Sequence, residues 1–387
     1  MVAWTIDLED DLPPEAFAAA LAGLPGMGPA RLAAVLDVAS PVAAWTRARR
    51  GEPWREPAVV AALGPGAPVI VDGWRAAAAA VDVDRVWRRL VEAGVGVALR
   101  GCAGYPPALV DDIEAPALLF HLGDPQVIQG PRVAIVGTRR CTSTGSGVAF
   151  ELGRDLAAEG ISVVSGLASS IDAAAHRGAL AAAAAPPIGV VGSGLDIVYP
   201  TSQADLWQAV IAHGVLLAEA PLGARPERWR FPARNRIIAA LSDLVVVVES
   251  HASGGSFHTV DEADRRAIDV LAVPGSVRNV AAVGVNALLA EGRAPARDVD
   301  DVLVALGLAS GRSRARPETR EAPTEADQRV LDAMGWQPVA LDQLALRTGL
   351  VLAELAAALD RLHTTGWIAQ HGGWYERVAA DIPGGLV

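Results

Sequence analysis

The hydrophobic positions between residues 131 and 310 form short continuous runs rather than alternating patterns. Alanine-rich helical segments separate six such runs: RVAIVG (132–137), ISVVSG (161–166), IGVVGSG (188–194), GVLLAEA (214–220), LVVVVES (244–250) and DVLAVPG (269–275). Continuous apolar runs are typical of strands buried on both faces, and their alternation with helices favours parallel strands joined by right-handed crossovers. The pattern predicts an α/β fold with a doubly wound parallel sheet.

The N-terminal part of the chain predicts helices. Residues 1–75 read as short helical stretches broken by Pro and Gly, which indicates a separate helical domain. Within it, LAGLPGMGPARLAAVLD (21–37) places a Pro-Gly-x-Gly turn between two helical stretches and resembles a helix-hairpin-helix, a motif that offers backbone N–H groups to a phosphate. A plain helix connector explains the same pattern. Residues 85–125 predict a helix and two short strands that extend the sheet, so we predict one domain over 85–310.

The C-terminal part of the chain predicts a winged helix. The segment 311–323 is charged, bears proline and lacks periodicity, which indicates a linker. A domain over 324–380 follows, with three helical stretches (324–334, 340–348 and 351–365) and a Gly-Gly hairpin. Residues 323–387 hold eight acids and four arginines, and the presumed recognition helix carries Glu354 and Asp360 against Arg361. Because such a face repels phosphate, we predict that this domain makes a protein contact or has an intramolecular role, and that it does not bind duplex DNA tightly.

Charge is distributed unevenly along the chain. The formal net charge is -11, and all 33 cationic residues are arginines, whose planar fork suits phosphate. Five of them crowd the segment RPERWRFPARNR, at positions 225, 228, 230, 234 and 236, against the single acid Glu227. An acidic total argues against indiscriminate nucleic-acid binding, whereas this cluster predicts a local anion site.

Glycines, hydroxyls and arginines follow several predicted strands, at the edge where parallel strands end. The carboxyl ends of parallel strands are where ligands bind in an open sheet. Glycines there allow a close backbone approach, and helix starts attract anions. The loops in question are GTRR (137–140), SGL (165–167), GSG (192–194), the arginine cluster after Glu219, and SGGS (253–256) after Glu249. They predict a row of phosphate sites, with Glu219 and Glu249 orienting arginines.

The sequence lacks the usual motifs for a nucleotide cofactor and for catalysis. The first loop lacks GxGxxG, and without lysine there is no GxxxxGK[ST], so NAD and ATP binding are disfavoured. Cys102 and Cys141 form no metal or disulfide pattern. Asp172 and His176 share a helix face, but a lone His near a helix start is more often structural than a base. Cys141 has no basic partner for nucleophilic catalysis. From the missing motifs taken together, we predict no cofactor, no structural metal and no catalysis. The acidic N-terminus and the absence of a strongly apolar run of about 20 residues predict a cytoplasmic protein without a membrane span.

Several sequence motifs within residues 85–310 resemble those of the DprA (also called Smf) family of DNA-processing proteins. The resemblance covers about 85–310, and it rests on IVGTRRCTSTG, SGLASSIDAAAHRGAL, GSGLDIVYPTSQADL, FPARNRIIAALSD, and AVPG followed by GVNALLAEG, in that order. It implies an extended Rossmann domain, an N-terminal sterile-alpha-motif-like domain and a C-terminal winged helix. It further implies a non-catalytic homodimer that binds and protects incoming single-stranded DNA and loads the recombinase RecA onto it in natural transformation.

Residue by residue, the resemblance assigns DNA contacts to four segments. They are Gly137, Thr138, Arg139 and Arg140; Ser165, Gly166 and Leu167; Phe231, Arg234, Asn235 and Arg236; and Gly254, Gly255 and Ser256. Two positions depart from the family pattern: Ser169 stands where a cation is common, and ASGGSFHTV (252–260) lacks the usual lysine. Lower affinity for DNA follows, unless Arg140, Arg225 and Arg228 compensate.

Two other functions compete with this interpretation. GGSFHTVDEA faintly resembles the loop of nucleoside-monophosphate phosphoribohydrolases, which would make the protein a nucleotide-processing enzyme. Phe257 stands where that loop needs glycine, and Asp261 stands where it needs glutamate. A non-catalytic scaffold with a vestigial groove is the other alternative.

Overall fold

The computed structural model describes residues 12–308, 320–335 and 338–378. Contacts divide the chain into two compact units, with the boundary between Ser310 and Gly311. Most of the predicted linker, together with residues 379–380 of the predicted last domain, lies outside the described residues.

Six helices open the first unit, and most of them begin at a proline. Proline is favoured in the first turn because its missing N–H would have no partner there. Trp74 is fully buried and donates its indole N–H to the carbonyl oxygen of Pro25 at 3.0 Å, which fixes the 23–28 turn against the fifth helix. These helices share one hydrophobic core with the nearest strands of the sheet. They are α1 Pro14–Ala22, α2 Pro29–Val38, α3 Pro41–Arg50, α4 Pro57–Leu63, α5 Ala67–Ala80 and α6 Val83–Glu92.

A nine-stranded sheet forms the centre of the unit, in the order β1-β2-β6-β5-β4-β3-β7-β8-β9. The seven strands β6, β5, β4, β3, β7, β8 and β9, neighbours in that order, run parallel. Strand β2 pairs antiparallel with both β1 and β6. The predicted doubly wound sheet is therefore confirmed. Its strands are β1 Gly96–Leu99, β2 Leu118–Gly123, β3 Arg132–Val136, β4 Ser162–Ser165, β5 Ile188–Val191, β6 Val215–Ala218, β7 Leu244–Val247, β8 Val270–Ala272 and β9 Ala294–Pro295.

Helices cover both faces of the sheet, which explains why the strands are apolar throughout. One core lies between the sheet and α10, α11 and α12, and a second lies between the sheet and α7, α8 and α13. These helices are α7 Ser143–Ala158, α8 Ile171–Ala182, α9 Ala204–His213, α10 Arg230–Ala240, α11 Phe257–Asp264, α12 Val283–Ala290 and α13 Val299–Ala305.

The strand order reverses at β3, whose two neighbours in the sheet are β4 and β7. Ligands of doubly wound sheets bind at such a switch point, beyond the carboxyl ends of the strands. Helix α10 connects β6, on one side of β3, to β7 on the other. Its first turn therefore passes over the strand ends, which places the arginine cluster at the switch point.

One apolar helical run, Pro57–Ala80, is long enough by length and composition to cross a membrane, in contrast to the sequence-based expectation. It consists of α4 and α5 with a tight Gly64–Gly66 turn between them. Within it, Trp74 and Ala78 are buried in the core that the helices share with the sheet.

The second unit has its own core and the predicted winged-helix order. A three-stranded antiparallel sheet, β10-β12-β11, packs with three helices around Leu331, Leu344 and Leu355. A capping box between Thr324 and Asp327 starts its first helix. The elements are α14 Glu325–Met334, β10 Val339–Ala340, α15 Leu341–Thr348, α16 Leu352–Thr364, β11 Ile368–His371 and β12 Trp374–Arg377.

Candidate functional site

The loops after β3 and β7 are joined at the switch point. The backbone N–H of Thr138 donates to the carbonyl oxygen of Glu249 at 2.7 Å. The Glu249 carboxylate accepts hydrogen bonds from the backbone N–H of Thr142 at 2.9 Å and from its hydroxyl at 2.7 Å, and Asn279 adds a third at 3.1 Å. Glu249 therefore holds the start of α7. The prediction that it orients an arginine is wrong, because hydroxyl and amide donors occupy its carboxylate.

The turn after β4 is buried, and its polar groups are already bonded. Ser165 donates its hydroxyl to the carbonyl oxygen of Ile135 at 2.6 Å, and Leu167 is fully buried with φ at 49°. The N–H of Gly166 donates to the Asp172 carboxylate at 3.2 Å. Burial raises the pKa of Asp172, so this carboxyl needs such donors. From the sequence we expected the Gly166 N–H to bind a ligand, whereas in the structure it is bonded to the Asp172 carboxylate.

Arg234, in the first turn of α10, is the buried cation of the site. Only 6% of it is exposed, and its guanidinium donates to the carbonyl oxygen of Val190 at the end of β5. A Cβ built at Gly166 would lie 2.2 Å from the same guanidinium, so the glycine provides the room. Among the described residues no carboxylate forms an ion pair with Arg234, and its Nε has no hydrogen-bond partner.

The surroundings of Arg234 disfavour its charge. Burial lowers its pKa to about 10, with Asp172 acting in the opposite direction and Arg139 adding to the decrease. A buried charge without an ion-pair partner is costly, and an anion bound beside it recovers that cost. Arg234 is thus still protonated at neutral pH and is placed to receive a negatively charged ligand.

Arg236, two residues further along α10, has different surroundings. Both of its bonds to the Glu219 carboxylate are 2.6 Å long, and it also donates to the carbonyl oxygen of Glu114 at 2.7 Å. Each side chain of the Arg236–Glu219 pair is 11% exposed. The expected arginine-orienting role of Glu219 is confirmed. The guanidinium of Arg236 is bound within the fold, and its expected DNA contact stays a prediction.

Aromatic side chains surround the exposed end of this edge. The ring of Phe231 lies 5.6 Å from that of Tyr199, and the Arg139 guanidinium stacks over Phe231 at 4.7 Å. Tyr199 is 42% exposed and Trp229 is 46% exposed, which is typical of rings that present a face to a ligand rather than to a core. Neither residue was among the predicted DNA contacts. Their signals were YP after GSGLDIV and a tryptophan inside the arginine cluster.

The glycine loop after β7 lies against α10. Asn235 donates its amide N–H to the carbonyl oxygen of Gly255 at 3.3 Å, so the two predicted segments do meet. The Ser256 hydroxyl is buried and donates to that of Ser250 at 2.8 Å. A Cβ at Gly254 would lie 2.4 Å from the Ser250 hydroxyl oxygen, whereas at Gly255 it would meet nothing within 4 Å. Gly255 is therefore the open position of the loop.

Among the described residues, some arginines are paired with carboxylates and others are exposed without an ion pair. Arg265, Arg266 and Arg293 are held by carboxylates at 2.6–2.7 Å. In the part of the chain that the structure describes, four exposed arginines at the edge have no ion pair: Arg139, Arg140, Arg225 and Arg228. These four arginines place exposed positive charge beside the loops at the strand ends, and their compensation for the missing lysines stays a prediction.

Candidate acid–base and nucleophilic residues lack the geometry for catalysis. His176 is fully buried and hydrogen-bonds through Nε2 to the Ile188 carbonyl oxygen at 3.2 Å, and burial lowers its pKa to about 4. Burial likewise raises the pKa of the Cys141 thiol. A buried neutral imidazole serves the fold, and a thiol with a raised pKa is a weak nucleophile at neutral pH.

In the second unit, the one cation of the presumed recognition helix is engaged internally. Arg361 bonds to the Asp327 carboxylate at 2.7 Å, which leaves Glu354 and Asp360 on the same helix as acidic groups. We therefore expect an isolated fragment of residues 320–387 to show no measurable affinity for duplex DNA in a gel-shift assay. Salt-sensitive duplex binding in the micromolar range or tighter would contradict this expectation.

Together these features define a doubly wound α/β protein with arginine-rich and glycine-rich loops at the strand-end edge, followed in the chain by a winged helix. The sequence profile described as DNA recombination-mediator protein A matches residues 97–307, and that of the DprA winged helix domain matches 314–373. The chain belongs to the DNA recombination-mediator protein A family, whose members are named DprA or Smf.

Several relatives show how far the likeness extends. A putative DNA processing protein DprA of Mycobacterium tuberculosis is 32% identical over 360 residues, with 87% of each chain covered. Protein Smf of Synechocystis is 33% identical over 311 residues, or 70% of this chain and 78% of the relative. The X-ray structure of DprA from Streptococcus pneumoniae superposes with a TM-score of 0.62 at 28% identity and covers 75% of this chain and 96% of its own. DNA processing protein A from Helicobacter pylori, solved for its single-stranded DNA binding mode, has a TM-score of 0.50 at 28% identity and covers 55% and 95%.

Proposed function

We propose that this protein binds single-stranded DNA at the strand-end edge and acts, without catalysis, as a cytoplasmic recombination mediator. The observation that carries the proposal is Arg234, a buried guanidinium without an ion-pair partner among the described residues, at the switch point of the sheet. A DNA phosphate supplies the missing negative charge. The relative from Helicobacter pylori, studied for its single-stranded DNA binding mode, supports this ligand class.

The chemistry of the edge favours a single strand over a duplex. Phe231 and Tyr199 offer ring faces to unpaired bases, and stacking of this kind is worth about 1–3 kcal/mol per base whatever the sequence. Arg139, Arg140, Arg225 and the open backbone at Gly255 suit a flexible phosphate chain that follows the strand ends. Bases in a duplex are already stacked on one another, so they cannot use these rings.

The buried His176 and the protonated Cys141 support a binding function over an enzymatic one. The alternative of a phosphoribohydrolase is tested by incubating the protein with AMP and measuring adenine release, and we expect none. Adenine release that survives purification and is lost in a variant at the edge would establish the enzyme instead.

Transfer of the strand to a recombinase requires a protein surface, and we propose the region after β8 for it. Val277 and Val280 are 89% and 70% exposed there, and Val283 is 44% exposed. Apolar side chains this exposed suit contact with RecA or with a second copy of this chain. Asn279, between Val277 and Val280, bonds to the Glu249 carboxylate, so this surface lies beside the strand-end edge.

A gel-shift comparison tests the whole proposal. Labelled oligo-dT and a duplex of equal length are titrated with the protein, with and without RecA. We expect a shift with oligo-dT, at least tenfold weaker binding of duplex, and faster RecA filament formation on the preloaded strand. Equal affinity for both DNAs would contradict the single-strand proposal, and unchanged RecA loading would contradict the mediator role alone.

A further inference from the structure

A cleft of about 680 Å³ lies between the N-terminal helical segment, α1 to α6, and the strand-end edge. One wall is the 23–29 turn with the start of α2, and the other is the loop that leads into α10. The floor reaches Val191 and Gly192, at the end of β5, where Arg234 is bound. The cleft is thus continuous with the proposed DNA site and extends it toward the helices.

The α2 wall carries unused backbone donors. Gly28 is the N-cap residue and has no side chain to accept the first N–H groups, and Pro29 follows it. Within the described residues, the N–H groups of Ala30 and Arg31 have no acceptor. The start of a ten-residue helix also carries partial positive charge, and the Arg31 side chain is fixed beside it by bonds to two carbonyl oxygens. These groups form a phosphate cradle.

The opposite wall carries an aromatic ring and two cations. Trp229 is half exposed, and Arg230 stacks over it at 4.5 Å. Arg234 is more than nine-tenths buried at the floor, with an Nε that lacks a partner among the described residues. The two acids of the lining are engaged. Glu219 pairs with Arg236, while Glu227 accepts from the Trp229 indole at 2.5 Å and lies 4.0 Å from the Arg230 guanidinium.

From this arrangement we infer that the cleft holds one further nucleotide of the bound single strand, with its phosphate on the start of α2 and its base on Trp229. The inference rests on the proposed function and extends it. The helical segment then takes part in DNA binding directly, and the strand runs from the switch point into the cleft rather than ending at Arg234.

Gly28→Asp tests the phosphate cradle without disturbing the fold. A Cβ at Gly28 meets nothing within 4 Å, and aspartate is a preferred N-cap residue, so the variant fills the cradle with its own carboxylate and stabilises α2. We expect affinity for oligo-dT of about 20 nucleotides to fall roughly tenfold, while a strand of about 6 nucleotides binds as before at the edge. The slope of log affinity against log salt should lose about 0.7, the value for one phosphate of a single strand.

Three further variants complete the experiment. Gly73→Asp adds the same carboxylate in α5, where a Cβ also meets nothing within 4 Å, and should bind both strands like the original protein. Trp229→Ala should lose roughly tenfold on the longer strand, and Trp229→Tyr should recover most of it, because a ring is restored.

The outcomes separate this inference from the proposed function. If Gly28→Asp binds the longer strand with unchanged affinity and salt slope, the cleft is outside the path of the strand, whereas binding of the shorter strand still supports the edge. Deoxythymidine monophosphate is titrated in parallel. Its loss in Gly28→Asp with unchanged strand affinity assigns the cleft to free nucleotides and overturns the inference. If the original protein binds neither strand, both proposals fall.

Discussion

Replacing Arg234 with methionine should abolish most single-stranded DNA binding while leaving the protein folded. The guanidinium has no ion-pair partner among the described residues, so its removal breaks no ion pair of the fold. Hydrogen bonds to charged groups are worth about 1.5–3 kcal/mol each, and losing two of them to phosphate weakens binding roughly 100-fold. Fluorescence anisotropy with labelled oligo-dT measures the affinity, and thermal unfolding checks the fold. Unchanged affinity would remove Arg234 from the site.

Gly166→Ala provides a second way to the same result. A Cβ at Gly166 would lie 2.2 Å from the Arg234 guanidinium, so this variant displaces the cation without deleting it. We expect a loss of affinity close to that of Arg234→Met. Gly73→Ala, in α5 with nothing within 4 Å of its Cβ, is the matched control and should bind normally.

Arg236→Met should show the opposite behaviour: a large loss of stability. Removing one partner of a buried ion pair leaves the other uncompensated, at a cost of about 3–5 kcal/mol in the free energy of unfolding. Burial already raises the pKa of Glu219, and Arg236 opposes that rise. Urea denaturation measures the effect, and adding Glu219→Leu should recover most of the stability because no buried charge then remains.

The contrast between these two arginines is itself a test. If Arg236→Met keeps the free energy of unfolding of the original protein but loses DNA affinity, Arg236 contacts DNA as the family resemblance implies. Its ion pair with Glu219 then contributes little to stability. A double substitution of Arg234 and Arg236 could not separate the two effects, because lower stability and lower affinity would appear together.

The sequence predicted the sheet and the winged helix because continuous apolar runs and turn signals are local properties. It also predicted that the arginine cluster lies at the strand ends, since that follows from parallel topology alone. It could not assign partners to Arg234 and Arg236. Those partners depend on Glu219, 17 positions before Arg236, and on Val190, 44 positions before Arg234, which only the folded sheet brings together.

Two other features of the site escaped the sequence for the same reason. Tyr199 reaches Phe231 because β5 and α10 converge, and no spacing rule connects a Tyr-Pro pair with an aromatic 32 positions later. The cleft arises because α2 and the loop before α10 share one unit and one core. The helix-hairpin-helix pattern suggested phosphate binding, but only the structure shows an aromatic wall facing it.

The salt dependence of single-strand affinity tests the central claim most directly. Affinity for oligo-dT is measured by fluorescence anisotropy over a range of salt concentrations. If about four to six phosphates are neutralised at the edge, log affinity falls with log salt at a slope near -3 to -4. A slope near zero would mean that the strand makes no phosphate contacts, which contradicts the role proposed for Arg234.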